Sequence, residues 1–187
     1  MGIVLSQRTE VFHVPYGPWI HDGTLENTFI DIKANPALIP VLPPCIGWPE
    51  TQALLHTINT TTSPLMSLAA DQHFSQGKQD DQPITLVSFV TLCFAEMALN
   101  QKEKIHALAE YLQNTMDSLL QDISDSQQQP LHLEIVLEIQ PTVFHHHKFQ
   151  GWSLTVFISG VGQEPHAIRG DWGWGIQALI DALTHYN

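Results

Sequence analysis

The run Leu131-His132-Leu133-Glu134-Ile135-Val136-Leu137-Glu138-Ile139 puts an aliphatic side chain at every second position, with His132, Glu134 and Glu138 between them. A period of two marks a β-strand with one oily and one wet face. Trp152, Leu154, Val156 and Ile158 repeat the pattern shortly afterwards. A short connection joins antiparallel neighbours, so the two runs predict a hairpin over about 131–161. Its oily face needs cover, and two flanking segments offer it. Ile105, Leu108, Leu112, Met116, Leu119 and Ile123 form the buried stripe of an amphipathic helix over 101–123. Ile176, Leu179, Ile180 and Leu183 do the same for a helix over 173–185. Asn100 with Glu103 reads as a capping box for the first, and Asp171 as the N-cap of the second. The fold class expected is α+β: a mainly antiparallel sheet built on the C-terminal hairpin and covered by these helices.

The N-terminal part is turn-rich. Val11–Val14 and Thr28–Ile32 are short strand candidates for the edge of the same sheet. Pro15 to Pro18 and His21-Asp22-Gly23 are turn signals. Pro36, Pro40, Pro43, Pro44 and Pro49 punctuate a connection across the surface. Pro49-Glu50 opens a helix to about Ile58, because proline suits the first turn and glutamate the positive end of the dipole. Ser63-Pro64 reads as the start of another short helix to about Phe74. Residues 84–99 read two ways. The β-branched run Ile84–Thr91 suggests a buried strand. The length of the apolar stretch and the start signal of Asp81 and Pro83 favour a buried helix. The polar loop near 76–82 is a candidate subdomain boundary within one α+β domain of 187 residues.

Charge narrows the choice of partner. Seven basic residues against nineteen acidic ones give a formal charge of −12, and the cations are scattered. Without a basic patch the chain is not expected to neutralise phosphates or an anionic membrane surface. It suits a basic protein partner, whose approach opposite charge would speed. The two cysteines, Cys45 and Cys93, form no Cys-x-x-Cys pair. No segment reaches the roughly 18 apolar residues of a membrane span. The N-terminus lacks a cationic, apolar leader. These features point to a cytoplasmic setting with reduced thiols.

Three groups of residues are candidates for chemistry. His145-His146-His147, taken as strand, would put His145 and His147 on one face, a spacing that can share a zinc ion with a third ligand from His166, Glu164 or His13. Glu134 and Glu138 share the wet face of the first hairpin strand, which is expected to face water. Arg169-Gly170-Asp171-Trp172-Gly173-Trp174-Gly175 reads as a glycine-spaced loop before the last helix. There Arg169 and Asp171 are candidates for an anionic ligand at a helix start, and Trp172 and Trp174 for core anchors or a binding surface. The glycines match neither a dinucleotide fingerprint nor a P-loop, and no hydrolase, zincin or cysteine-nucleophile motif occurs.

The segment from Phe149-Gln150-Gly151-Trp152 through Gly160-Val161-Gly162-Gln163 to Arg169-Gly170-Asp171 resembles a hairpin of the histidyl-tRNA synthetase-like regulatory proteins of histidine biosynthesis. That family carries Gly-Gly-Arg-Tyr-Asp where this chain has Ile168-Arg169-Gly170-Asp171-Trp172. The likeness covers only these residues and transfers no site residue. The expectation is therefore an acidic binding protein of the inhibitor, immunity or adaptor type. The alternatives are a metal-dependent enzyme or metal-binding protein using His145 and His147, with zinc as the candidate ion, and a small-anion module at Arg169–Gly175.

Overall fold

A computed structural model describes residues 2–14, 30–76 and 83–186. Its elements are β1 (Ile3–Gln7), β2 (Phe12–Val14), α1 (Pro49–Asn59), β3 (Leu65–Gln76), β4 (Ile84–Phe94), α2 (Lys102–Gln127), β5 (Leu133–Phe144), β6 (Phe149–Gly162) and α3 (Pro165–Thr184). Short 3-10 turns occupy Pro36–Val41, Pro43–Cys45, Met97–Leu99 and His145–His147. The strands form one six-stranded mixed sheet in the order β1-β5-β6-β4-β3, with β2 also on β5. The protein is α+β. Strands β3 to β6 pair antiparallel, and β1 and β2 run parallel to β5. Among the described residues no helix is long and apolar enough to cross a membrane.

The short helix expected from Ser63 to about Phe74 is strand β3, and most of the segment 84–99, which read two ways, is strand β4. Ser63 Oγ does accept the Leu65 N–H at 3.1 Å, as a capping serine would. From Leu65 the chain nevertheless runs extended, because β3 pairs with β4 from Leu65↔Phe94 to Gln76↔Ile84. Strand β4 ends at Phe94, and β6 on its other edge makes it a central strand. Ladders on both edges reward an extended backbone more than a helix start signal does. Residues on either side of the expected 76–82 boundary thus belong to one sheet, while 77–82 lie outside the described residues. So do Pro15–Pro18, His21-Asp22-Gly23 and the first part of the strand expected over 28–32. Ile30 and Asp31 are irregular, and 32–34 turn.

The helices fill one face of the sheet. Leu133, Ile135, Leu137, Ile139, Leu154, Val156, Ile158, Leu86, Val90 and Leu92 are buried there with Leu54, Leu55, Ile58, Leu108, Leu112, Met116, Ile168, Trp172 and Leu179. A smaller core on the opposite face joins Val14, Met66, Leu68, Cys93 and Phe144 to Phe12, Met97 and Phe149. Helix α2 has its N-cap at Gln101 with no side-chain capping bond. Asn100 does not cap it. Its fully buried side chain instead accepts the Phe94 N–H and donates to the Phe94 carbonyl. Helix α3 starts at Pro165, well before the expected 173, so Arg169–Gly175 is helix and not loop. Asp171 is consequently not its N-cap, and accepts the His132 backbone N–H at 3.0 Å.

Glycines permit that helix because packing outweighs their low propensity. A Cβ on Gly175 would meet Ile158 Cγ2 at 2.7 Å, whereas one on Gly173 would meet nothing within 4 Å. Gly173→Ala is therefore expected to stabilise the protein by about 1 kcal/mol through helix propensity. Gly175→Ala should destabilise it by roughly 1–3 kcal/mol despite the same gain, because the helix must lift from β6. Urea midpoints of the two variants, moving in opposite directions, check this.

Candidate functional site

Three places bring chemistry-bearing side chains together. The first is an open groove of about 440 Å³ between α3 and the start of α1, lined by Glu50, His166, Arg169, Gly170, Gly173, Trp174 and Gln177. Helical spacing places His166, Gly170, Gly173 and Gln177 on one face, and the two glycines leave its floor low. Arg169 Nη2 donates to both Glu50 carboxylate oxygens, at 3.3 and 3.2 Å, and its guanidinium lies 4.7 Å from the centre of the Trp48 ring. The positive charge expected to hold an anion is thus already matched. The N-terminal amides of α3 lie upstream, after Glu164. The two tryptophans divide the roles proposed for them. Trp172 is fully buried and donates its indole N–H to Ser88 Oγ at 2.8 Å. Trp174 is 39% exposed in the groove.

The second place is the turn between β5 and β6. His145 and His147 lie in a 3-10 turn, not on a strand. With about three residues per turn, positions two apart point to different sides, so the expected His145/His147 pairing is lost. The structure pairs His145 with His13 instead. His13 Nδ1 is 2.9 Å from His145 Nε2, and the ring planes lie within 18° of each other with centroids 5.2 Å apart. His147 is exposed, and His166 lies in the α3 groove beside Glu50 and Arg169. Among the described residues no three His, Cys, Asp or Glu side chains are grouped to hold a metal.

The third is the polar face of the hairpin. Glu134 is exposed, as expected for a strand's wet face. Glu138 is not: Arg8 Nη2 lies 3.0 Å from its Oε1, an ion pair without hydrogen-bond alignment around a buried oxygen. Further along, the same face is buried. Gln140 Nε2 donates to Thr155 Oγ1 at 2.9 Å, Thr155 bonds Thr91 at 2.8 Å, and Thr142 bonds Ser153 at 2.7 Å. All five side chains are at most 4% exposed. Alternation alone cannot reveal this network, since the same pattern describes a solvated face. The sequence signal was the replacement of charged residues by Gln, Thr and Ser beyond Glu138. Near it an open cleft of about 540 Å³ lies between the hairpin end and the start of α2, lined by Val11, Lys102, Val143, Gln150, Trp152 and others.

Both cysteines are free and buried. Burial pushes the Cys93 thiol up to about 12, against a smaller opposing effect of its hydrogen bond with Asn100, and it raises Cys45 as well. A thiol so shifted is almost wholly protonated at neutral pH and is a poor nucleophile. The segment 149–171, compared above with a synthetase-like hairpin, is β6 and the opening turns of α3. Comparison with protein-family models, curated proteins and solved structures gave no match.

Native protein near neutral pH is expected to resist labelling by a disulfide reagent at both thiols, with full reaction after unfolding in denaturant. Rapid labelling of Cys93 in the folded state would contradict its placement.

Proposed function

We propose that the protein is a binding module for a basic macromolecular partner, acting in the cytoplasm as an inhibitor, immunity protein or adaptor. The observation that supports this reading is how its charges are disposed. Arg8 and Arg169 are ion-paired, and Lys33 Nζ donates to the carbonyls of Thr60, Ser63 and Leu65 at 2.8 Å each. Lys104 and Lys148 are exposed. The acids are deployed differently. Glu103, Glu110 and Asp117 are exposed and seven residues apart on α2. Seven residues are close to two turns, so they form one line along the helix. Asp122 and Asp125 continue the charge towards the C-terminal end, and the last turn holds no basic residue. Carboxylates there oppose the helix dipole and cost a few tenths of a kcal/mol each. A face kept for solubility alone has no need of that cost, whereas a surface that draws in cations does. Trp174 in its groove supplies an aromatic anchor of the kind that dominates binding energy. The two free thiols fit a reducing compartment.

The expected behaviour is salt-sensitive capture. Native protein used as bait retains a basic partner from cell extract at low ionic strength and releases it at high salt. A Glu103→Lys/Glu110→Lys/Asp117→Lys variant, altered only at exposed positions, loses that partner while its circular dichroism is unchanged. Equal retention by both baits, insensitive to salt, would refute the charge-based reading.

A further inference from the structure

We infer that His13 and His145 form a two-histidine binding site for a divalent transition cation such as Zn²⁺, Cu²⁺ or Ni²⁺. The pairing comes from the tertiary fold, since these residues are 132 positions apart in sequence. Strand β2 lies parallel on β5 with His13 opposite Val143 and Val14 opposite Phe144. The turn that follows Phe144 begins at His145. This register brings His13 Nδ1 to 2.9 Å from His145 Nε2. Two metal–nitrogen bonds of about 2.0–2.1 Å span roughly 2.9 Å at a right angle and about 3.4 Å at the tetrahedral angle. The observed separation already equals the lower value. A cation can take the place of the proton between the two rings once each ring turns by roughly 35–45°, so that both in-plane lone pairs leave the N–N line and converge on the metal. Strand β2 has three residues, and His13 is exposed, so little packing resists that movement.

Imidazole nitrogen suits zinc, copper and nickel, and not magnesium or calcium, which prefer oxygen. Two protein ligands leave positions open. Paired residues of adjacent strands project to the same face, so His13 lies on the side of the sheet where Val143 and Val11 line the 540 Å³ cleft. His13 itself is exposed, so water can reach the positions that complete the coordination shell.

Equilibrium dialysis of the full chain against ZnCl₂, CuCl₂ and NiCl₂ tests the assignment. The expected result is about one tightly held ion per chain, with affinity falling at acid pH as protons compete for the ring nitrogens. His13→Gln and His145→Gln, which keep a polar group at each position, should each weaken binding at least tenfold. His147→Gln and His166→Gln should leave it unchanged. Electron paramagnetic resonance of the Cu²⁺ form should show hyperfine splitting from two imidazole nitrogens, a sign that loss of folding in a variant cannot imitate. Absence of stoichiometric binding in the native chain overturns the proposal. So does binding that survives His13→Gln but is lost with His147→Gln or His166→Gln.

Discussion

Helix α3 lies in close contact with β6, and the other helices pack around it. Two glycines set the distance. Gly160 on the strand has no room for a Cβ, which would lie 2.7 Å from the Ile168 carbonyl oxygen, and Gly175 on the helix faces Ile158 in the same way. Trp172 descends through this seam to the middle of the sheet, where its indole N–H reaches Ser88. The hydroxyl of Ser88 also donates to the Ile158 carbonyl, so a buried polar pair sits in an apolar layer with its bonds made. Helices α1 and α2 each pack against α3. Trp48, which precedes α1, meets the Trp172 ring edge-on with centroids 5.4 Å apart and carries Arg169 on its face. One close contact thus seats α3, and α3 seats its neighbours.

The sheet resolves a conflict that its sequence contains. Pro141 stands within a strand that has neighbours on both sides, where a missing N–H would ordinarily break a ladder. Ile139 turns its carbonyl towards the β1 edge, where Arg8 donates to it, and Pro141, two residues on, faces the same edge. There the β1 pairing has ended at Ile139 and the β2 pairing begins at Thr142. The proline occupies the gap between two parallel partners, so no bond is lost. Beyond this point the far face closes over, and the threonine, serine and glutamine side chains bond to one another rather than to water. Their mutual satisfaction avoids the desolvation cost of about 1–3 kcal/mol that each unpaired group would incur.

Charge and histidine placement follow different rules here. The ion pairs of Arg8 and Arg169 are partly exposed and add little to stability. Their effect is to remove positive charge from a surface that is acidic elsewhere. Lys33 does structural work, tying the chain before the first 3-10 turn to the backbone between α1 and β3. Burial lowers its pKa, with Asp31 acting in the opposite direction, and three carbonyl acceptors hold the ammonium in place. The hairpin histidines owe their geometry to β2, a three-residue strand that brings the N-terminus to the end of β5.

Some elements could be read directly from the chain. The alternation of Leu133, Ile135, Leu137 and Ile139 names its strand because a period of two admits one backbone. The stripe from Ile105 to Ile123 names α2, and Pro49-Glu50 opens α1, for equally local reasons. Other segments misread because their local signals were genuine but outbid. Ser63 makes a cap-like bond and the chain still extends, since β4 offers a full ladder. Arg169–Gly175 looks like a loop by glycine content, yet the same glycines are what let a helix lie close to β6. The candidate sites divide the same way. Composition alone gave the acidic surface, because charge is a sum over residues. The pairing of His13 with His145, the neutralising of Arg169 by Glu50 and the opposite fates of Trp172 and Trp174 were decided only by the tertiary structure. Each depends on which distant strand or helix lies alongside, and no local period carries that information.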